Sequence, residues 1–255
     1  MNITHTLATL CVATSLVGTA SAAVIGIDNR NGFDGDTTLG TGSDFDQFRS
    51  VIASMGHTIV LVNDFTNLAG IDSIIAQNPH SGAQSYSLAE MGSISTFVAG
   101  GGGMLALGEA GGNSTSFIAN MNQMVAGFEA EYSAAVYSGS GLIVNSFASH
   151  AVTAGVSQVG VDFYRKVTAS GDTADLTGDA SDFIAARDGT GGAGNSVFLG
   201  DISLWKDFGT GSDYAITDLD NELLLRNIVG YITVPAPSSM SLLGFGVIAM
   251  RRRRG

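Results

Sequence analysis

Residues Phe97 to Gly112 read FVAGGGGMLALGEAGG. An apolar helix end runs into four glycines, a short apolar strand follows, and a second glycine turn opens the next segment. A four- or five-residue apolar run bounded by such turns is a strand buried on both faces, which belongs in a parallel sheet covered by helices. The second turn lies beyond the carboxyl end of that strand, where open α/β sheets bind ligands. Its residues are Gly108, Glu109, Ala110, Gly111 and Gly112, with neither Cys nor Ser at the apex.

The chain before this stretch has the same grammar. Ala23 to Asp28 is an apolar run ending in a carboxylate. Asp44 to Met55 repeats apolar residues at Phe45, Phe48, Val51, Ile52 and Met55, the three-and-four spacing of an amphipathic helix. Ser43 or Asp44 is its expected N-cap and Gly56 its stop. His57 to Val62 is the next strand, so residues 23 to 62 form one βαβ unit with a parallel strand pair. Ile71 to Ala76 predicts a third strand. Ser87 to Ala99 predicts a helix with Ser87 and Glu90 at capping-box spacing. Met104 to Leu107 is the next strand, and Asn113 to Val125 a helix.

After Gly127 the runs shorten. Ala134 to Tyr137, Leu142 to Val144, Val159 to Phe163, Phe183 to Arg187 and Val197 to Leu199 predict extra strands and hairpins. Asp218 to Ile232 is a strongly apolar closing helix that Asp218 or Asp220 can cap. No fixed-period repeat is present, which excludes solenoids and propellers. The expected fold is α/β, a mostly parallel flavodoxin-like sheet with flanking helices and additional strands in the second half.

The two ends have a different character. Leu7 to Val17 is mostly apolar and Ala20-Ser21-Ala22 is a small-x-small cleavage pattern, so residues 1–22 are an expected signal peptide. The segment MNITHT has no Lys or Arg, leaving positive charge to the terminal amine and His5. The only Cys, Cys11, falls in this segment, and its removal would leave no thiol for a disulfide, a zinc site or a nucleophile. At the other end, Val234-Pro235-Ala236-Pro237 precedes an apolar run, Met240 to Met250, and then Arg251, Arg252, Arg253 and Arg254. At about 1.5 Å per residue that run falls short of a ~30 Å bilayer core. It can still lodge in a membrane with the arginines on the cytoplasmic side.

This order of parts resembles the PEP-CTERM sorting signal of Gram-negative bacteria, with Val-Pro-Ala-Pro where the family has Val-Pro-Glu-Pro. The resemblance implies partners in the export machinery and an exosortase-type processing enzyme. It also implies transient membrane anchoring through residues 240–250 and loss of the tail at the cell surface or outside the cell. The same layout fits a tail anchor that stays uncut. The chain then divides into a signal peptide (1–22), one α/β domain (23–233) and a sorting tail (234–255).

A second resemblance spans roughly residues 24 to 232. Strand, Leu107-Gly108-Glu109-Ala110-Gly111-Gly112 and helix look like the nucleophile elbow of the glutamine amidotransferase-like superfamily. His150-Ala151-Val152-Thr153-Ala154-Gly155 is similar to a His-Pro-x-Thr-x-Gly segment of its non-catalytic bacterial members. Leu199-Gly200-Asp201, Asp220-Asn221 and Asn227-Ile228-Val229 fit the group's ending. The family's cysteine would fall at Ala110, which has no nucleophile, so acyl transfer by that route is excluded. His150 is not carried over as catalytic.

Charge narrows the function classes further. Four of the 11 basic residues are the terminal arginines, and the other seven face 23 acidic ones. Such a chain has no basic stripe for phosphate backbones, so nucleic acid is excluded as a partner. Glu109 is the leading candidate for a base or a polar ligand holder, with Asp28 as a second carboxylate, against the alternative of an exposed turn residue. Asp28, Asn31, Asp34 and Asp36 offer oxygens that suit calcium, although their spacing does not match an EF-hand loop. The run Asp172, Asp175, Asp179 and Asp182 reads the same way. His57, His80 and His150 are scattered, and Ser149 beside His150 does not make a nucleophile–base pair. The expectation is a non-enzymatic exported binding or extracellular-matrix module, with extracellular polysaccharide as a candidate partner. A carboxylate-dependent hydrolase or carbohydrate-active enzyme using Glu109 and Asp28, and a calcium-dependent adhesion module, are the alternatives.

Overall fold

The computed structural model describes residues 22–30, 38–79, 84–108, 117–177, 181–207 and 214–234, apart from the side chains of 138–140 and 162. Eleven strands and four α-helices lie in this part. The strands are β1 (Val24–Asp28), β2 (Thr58–Val62), β3 (Ser73–Gln77), β4 (Gly103–Leu107), β5 (Ala130–Tyr132), β6 (Tyr137–Val144), β7 (Val159–Tyr164), β8 (Val167–Ala169), β9 (Thr173–Asp175), β10 (Ile184–Arg187) and β11 (Ser196–Leu199). The helices are α1 (Asp46–Ser54), α2 (Leu88–Ala99), α3 (Ile118–Val125) and α4 (Asn221–Ile232).

Seven strands form one sheet in the order β2-β1-β3-β4-β11-β10-β9. All its pairings up to β11 are parallel, and β10 alone runs against its neighbours. The predicted mostly parallel sheet is therefore present, and three strands of the second half, β11, β10 and β9, complete it. The period-2 alternation of side chains sorts the core onto two faces. Ile25, Ile27, Ile75, Leu105, Leu107, Val197 and Leu199 meet α1 and α4 on one face. Ile74, Ala76, Met104, Ala106 and Phe198 meet α2 and α3 on the other. Each fully buried Ile, Leu or Val contributes about 1.5–3 kcal/mol relative to exposure. This is why the central strands β3 and β4 are buried at every position.

Helix α2 begins as expected. Ser87 caps it and the reciprocal bonds with Glu90 are both made. The other two predicted caps are corrected. Neither Ser43 nor Asp44 caps α1, because the 3-10 turn Ser43–Phe45 precedes it and Phe45 takes the N-cap position. Asp207 caps it instead, accepting the N–H groups of Asp46 at 3.0 Å and Gln47 at 2.8 Å. At α4, Asp220 is the N-cap residue but makes no cap bond. Its carboxylate accepts the N–H groups of Ser157 at 2.8 Å and Gln158 at 3.1 Å, tying the helix start to the loop before β7.

Two separate antiparallel strand pairs, β5 with β8 and β6 with β7, lie outside the main sheet. Asn221 fixes the second of these. Fully buried, it accepts the N–H of Gly160 at 3.0 Å and donates to the carbonyls of Ala215 and Leu204 at 3.0 and 3.2 Å. Trp205 packs beneath it, stacked on Phe48 with ring centroids 5.5 Å apart. At the amino end of the sheet, Ala22 and Ala23 share one shallow cleft with Asp72, Gly101 and Ile232 to Val234. The first and last described residues of the domain are therefore neighbours. Among the described residues no helix is long and apolar enough to cross a membrane.

Candidate functional site

Strand order reverses between β1 and β3, because β1 is followed in space by β2 on one side and β3 on the other. In open α/β sheets the crevice outside the carboxyl ends at such a reversal is the usual ligand site. Among the described residues, the chain's own side chains occupy it. Asp28 ends β1 and is fully buried. Arg30 turns back over it, its backbone N–H donating to Asp28 Oδ1 at 3.0 Å and its Nε to the same oxygen at 3.2 Å. The far side of the guanidinium donates through Nη1 to Glu90 Oε1 at 2.7 Å. Two aromatic rings enclose it, Tyr86 at 4.9 Å and Phe65 at 5.2 Å from the guanidinium carbon. A cation held over ring faces in a desolvated site gains about 2 kcal/mol from their quadrupoles.

The side chains that enclose this cation bond one another and the nearby backbone. The Tyr86 hydroxyl donates to Asp28 Oδ2 at 2.7 Å and accepts the Gln77 N–H at 3.0 Å. Glu90 accepts the N–H of Phe65 at 3.2 Å and that of Ser87 at 2.9 Å. Asn120 on α3 holds Tyr86 through both backbone groups, at 2.8 and 2.9 Å. Gln84 donates to the Arg30 carbonyl. Burial alone would raise the Glu90 carboxyl, but the N–H groups of Ser87 and Phe65, the Ser87 hydroxyl and Arg30 together hold it below its ordinary range. Burial opposes the charge of Arg30, yet Asp28 in particular, with Tyr86 and Glu90, raises its pKa above an already high value. Burial and the Asp28 charge push the Tyr86 hydroxyl far up, so it stays a proton donor.

The carboxyl ends of β4 and β11 are also covered. Gly108 follows β4, and a Cβ there would lie 2.8 Å from the Tyr132 ring, whose hydroxyl donates to the Ala106 carbonyl at 2.6 Å. Gly200 follows β11, and a Cβ there would lie 1.8 Å from the Arg165 carbonyl oxygen. Arg165 is fully buried and donates to the carbonyls of Ser133 and Ala134 at 2.9 and 3.0 Å. The strands of the second half thus lie across this end of the sheet.

The residues singled out in the sequence are not gathered into one place. Asp28 sits at the expected edge, with one oxygen on Arg30 and the other on Tyr86, and exposes no surface to a substrate or an ion. Gly108 is at the same edge, separated from Asp28 by β3, a width of roughly 10 Å across two strand spacings. Glu109, Ala110, Gly111 and Gly112 lie outside the described residues, as do Asn31, Asp34, Asp36, His80 and Asp179. So do Pro235, Ala236, Pro237 and Arg251 to Arg254 of the sorting motif, whereas Val234 is described and exposed. His150 is held at a turn by the Val152 N–H on Nδ1 at 3.1 Å, edge-on to Tyr231 at 5.0 Å. Its Nε2 lies 3.5 Å from Asp188. Ala23 N–H donates to His57 Nδ1 at 3.2 Å, and burial lowers the pKa of that imidazole. In the acidic run, Asp182 takes Lys166 at 3.1 Å and Asp172 reaches Arg187 at 3.9 Å. Burial raises the Asp175 pKa against the lowering effect of Thr177. Among the described residues no three His, Cys, Asp or Glu side chains converge as a metal site.

Sequence reasoning missed Arg30, Tyr86, Phe65 and Glu90 as one cluster. The available signal was a lone arginine two residues after a buried strand-end aspartate, in a chain short of basic residues.

No protein-family model matches this chain, and no curated protein matches its sequence. Solved structures do match by shape. The N-terminal domain of mmIFT52 aligns at a TM-score of 0.65 and 14% identity, over 84% of this chain and 98% of that one. A cytoplasmic protein from Salmonella typhimurium aligns at 0.56 and 15%, over 82% and 98%. A ThuA-like protein from Parabacteroides merdae aligns at 0.51 and 10%, over 84% and 91%. The likeness is one of fold. The chain shares a mixed α/β architecture, a mostly parallel sheet with flanking helices, with these structures.

Proposed function

We propose that this chain is an exported, surface-associated α/β domain without catalytic activity, acting as a binding or extracellular-matrix module. The observation that carries the non-catalytic part is the filled crevice. Arg30, clamped between Asp28 and Glu90 at 3.2 and 2.7 Å, occupies the volume a ligand would take at the strand reversal. Asp28 then has no oxygen turned to an external substrate and does not serve as a base. Ala110 at the apex of the glycine turn offers no nucleophile. The export part rests on the sequence pattern at both ends. Residues 1–22 are the signal peptide, and residues 234–255 are a PEP-CTERM-type tail that an exosortase-type enzyme removes at the surface of a Gram-negative cell. Ala22 and Val234 line one cleft at the amino end of the sheet. Both processed segments then join the domain at the amino end of the sheet, away from the Arg30 crevice.

The test is a screen of the purified protein against glycans, esters and amides, with Glu109→Gln as control. The proposal predicts no turnover in either form. Turnover by the wild type that disappears in Glu109→Gln would replace it with the hydrolase reading.

A further inference from the structure

Among the described residues the seven-stranded sheet ends in β9 on one side and β2 on the other, and the two edges are built differently. The β9 edge is three residues long and ends in Asp175, with Asp172 just before it. Short, charged edges of this kind resist pairing with another chain. The β2 edge is five residues, Thr58-Ile59-Val60-Leu61-Val62, with no charge and no proline. Val60 and Leu61 are 40% and 41% exposed, on opposite faces of the strand.

The backbone of β2 says what fits it. The Thr58 N–H donates to the Ala23 carbonyl and the Val62 carbonyl accepts the Asn29 N–H, both at 2.9 Å. Thr58, Val60 and Val62 therefore turn their backbone groups inward to β1, and Ile59 and Leu61 turn theirs outward. An antiparallel partner must present outward groups at the same two-residue spacing. A second copy of β2, rotated about Val60, does so: Ile59 bonds Leu61 of the copy, and Leu61 bonds Ile59. The register is also free of like-charge contacts, because Asn63 then faces His57 and Asp64 faces Gly56. That matters for a chain with a net charge of −12, whose copies repel one another over most of their surfaces. Helix α1 packs on β2, and Ser50, Ala53 and Ser54 on its exposed side are small and uncharged.

We propose that the outer edge of β2 is a homodimer interface, in which two copies pair β2 with β2 antiparallel about Val60 and join their sheets into one. The symmetry is two-fold and the contact isologous, the commonest arrangement for a homodimer. Every strand carries this outward spacing, so what favours a second copy is the register itself, in which no like charges meet.

The test uses the full-length protein in a mild detergent with Cys11→Ser, so that an introduced cysteine is the single thiol. Val60 lies on the two-fold axis in a non-hydrogen-bonded pair, where Cα atoms approach to about 4.5 Å, within disulfide range. Val60→Cys is expected to give a disulfide-linked dimer on mild oxidation, and Thr168→Cys, at the exposed position of β8, is expected to stay unlinked. Sedimentation is expected to show a dimer that Leu61→Pro weakens by about tenfold or more, since the proline removes an outward N–H and leaves the inward bonds intact. Circular dichroism checks the fold of that variant, and Val60→Lys replaces it if it unfolds. A monomer at about 100 μM would overturn the proposal. So would a dimer that survives these variants in folded form and fails to link through Val60→Cys.

Discussion

Arg30 and Glu90, sixty residues apart in sequence, meet at 2.7 Å over the carboxyl end of the sheet. The pair fastens the segment after β1 to the first turn of α2. The capping box of α2 and the crevice filling therefore share one carboxylate: Glu90 Oε2 serves Ser87 and Oε1 serves Arg30 and Phe65.

Removing the cation should expose this dependence. Arg30→Met keeps the bulk between Phe65 and Tyr86 but leaves Asp28 and Glu90 buried without their counter-charge. Breaking a buried pair on one side costs about 3–5 kcal/mol. Urea unfolding should show a loss at the lower end of that range, because Tyr86 and the backbone N–H groups still bond the two carboxylates. A loss below about 0.5 kcal/mol would mean the cluster is not a fastening at all.

The same carboxylate sets an acid limb. The folded state holds the Glu90 pKa below its ordinary 4.5, so its contribution is complete above that value and is lost as pH falls through the folded pKa. Glu90→Gln should therefore melt lower than wild type at pH 7, with the two melting temperatures converging between about pH 5 and pH 3. A constant gap across that range would assign the difference to packing instead of ionisation.

The glycine at the end of β11 should tolerate no side chain. Gly200→Ala drives a Cβ to 1.8 Å from the Arg165 carbonyl oxygen, a backbone atom, whereas Gly127→Ala meets nothing within 4 Å. Chemical denaturation should give a cost of about 3 kcal/mol for the first and less than about 0.5 kcal/mol for the second.

Asn221 offers a further stability test away from the crevice. Asn221→Leu strips the buried Gly160 N–H and the Ala215 and Leu204 carbonyls of their partner at once. Each unsatisfied group costs about 1–3 kcal/mol, so the variant should be poorly folded at 37 °C, as read by near-ultraviolet circular dichroism. A native spectrum and an unchanged melting temperature would remove Asn221 from the account.

The first half of the fold was legible because its signals are local. The predicted strand at Ala23 to Asp28 is β1, His57 to Val62 contains β2, and the Ser87–Glu90 spacing marks a capping box that forms. The second half was harder. β8 and β9, at Val167–Ala169 and Thr173–Asp175, are three residues each, too short for an alternating pattern to declare itself, and β5 was missed for the same reason. The helix caps failed where the acceptor is remote. Asp207 caps α1 across some 160 residues, a relation no window around Ser43 contains. The crevice was half legible: Asp28 was read at the right edge, as a ligand or base. Its partner Arg30 is two residues away, but Glu90, Tyr86 and Phe65 arrive only through the packing of α2 and its preceding loop.

Intact-mass spectrometry of the protein recovered from the cell surface or medium tests the account most directly. The account predicts a species that begins near Ala23 and lacks Arg251 to Arg254. A species of 26.1 kDa, carrying both the first 22 residues and the arginine tail, would contradict it.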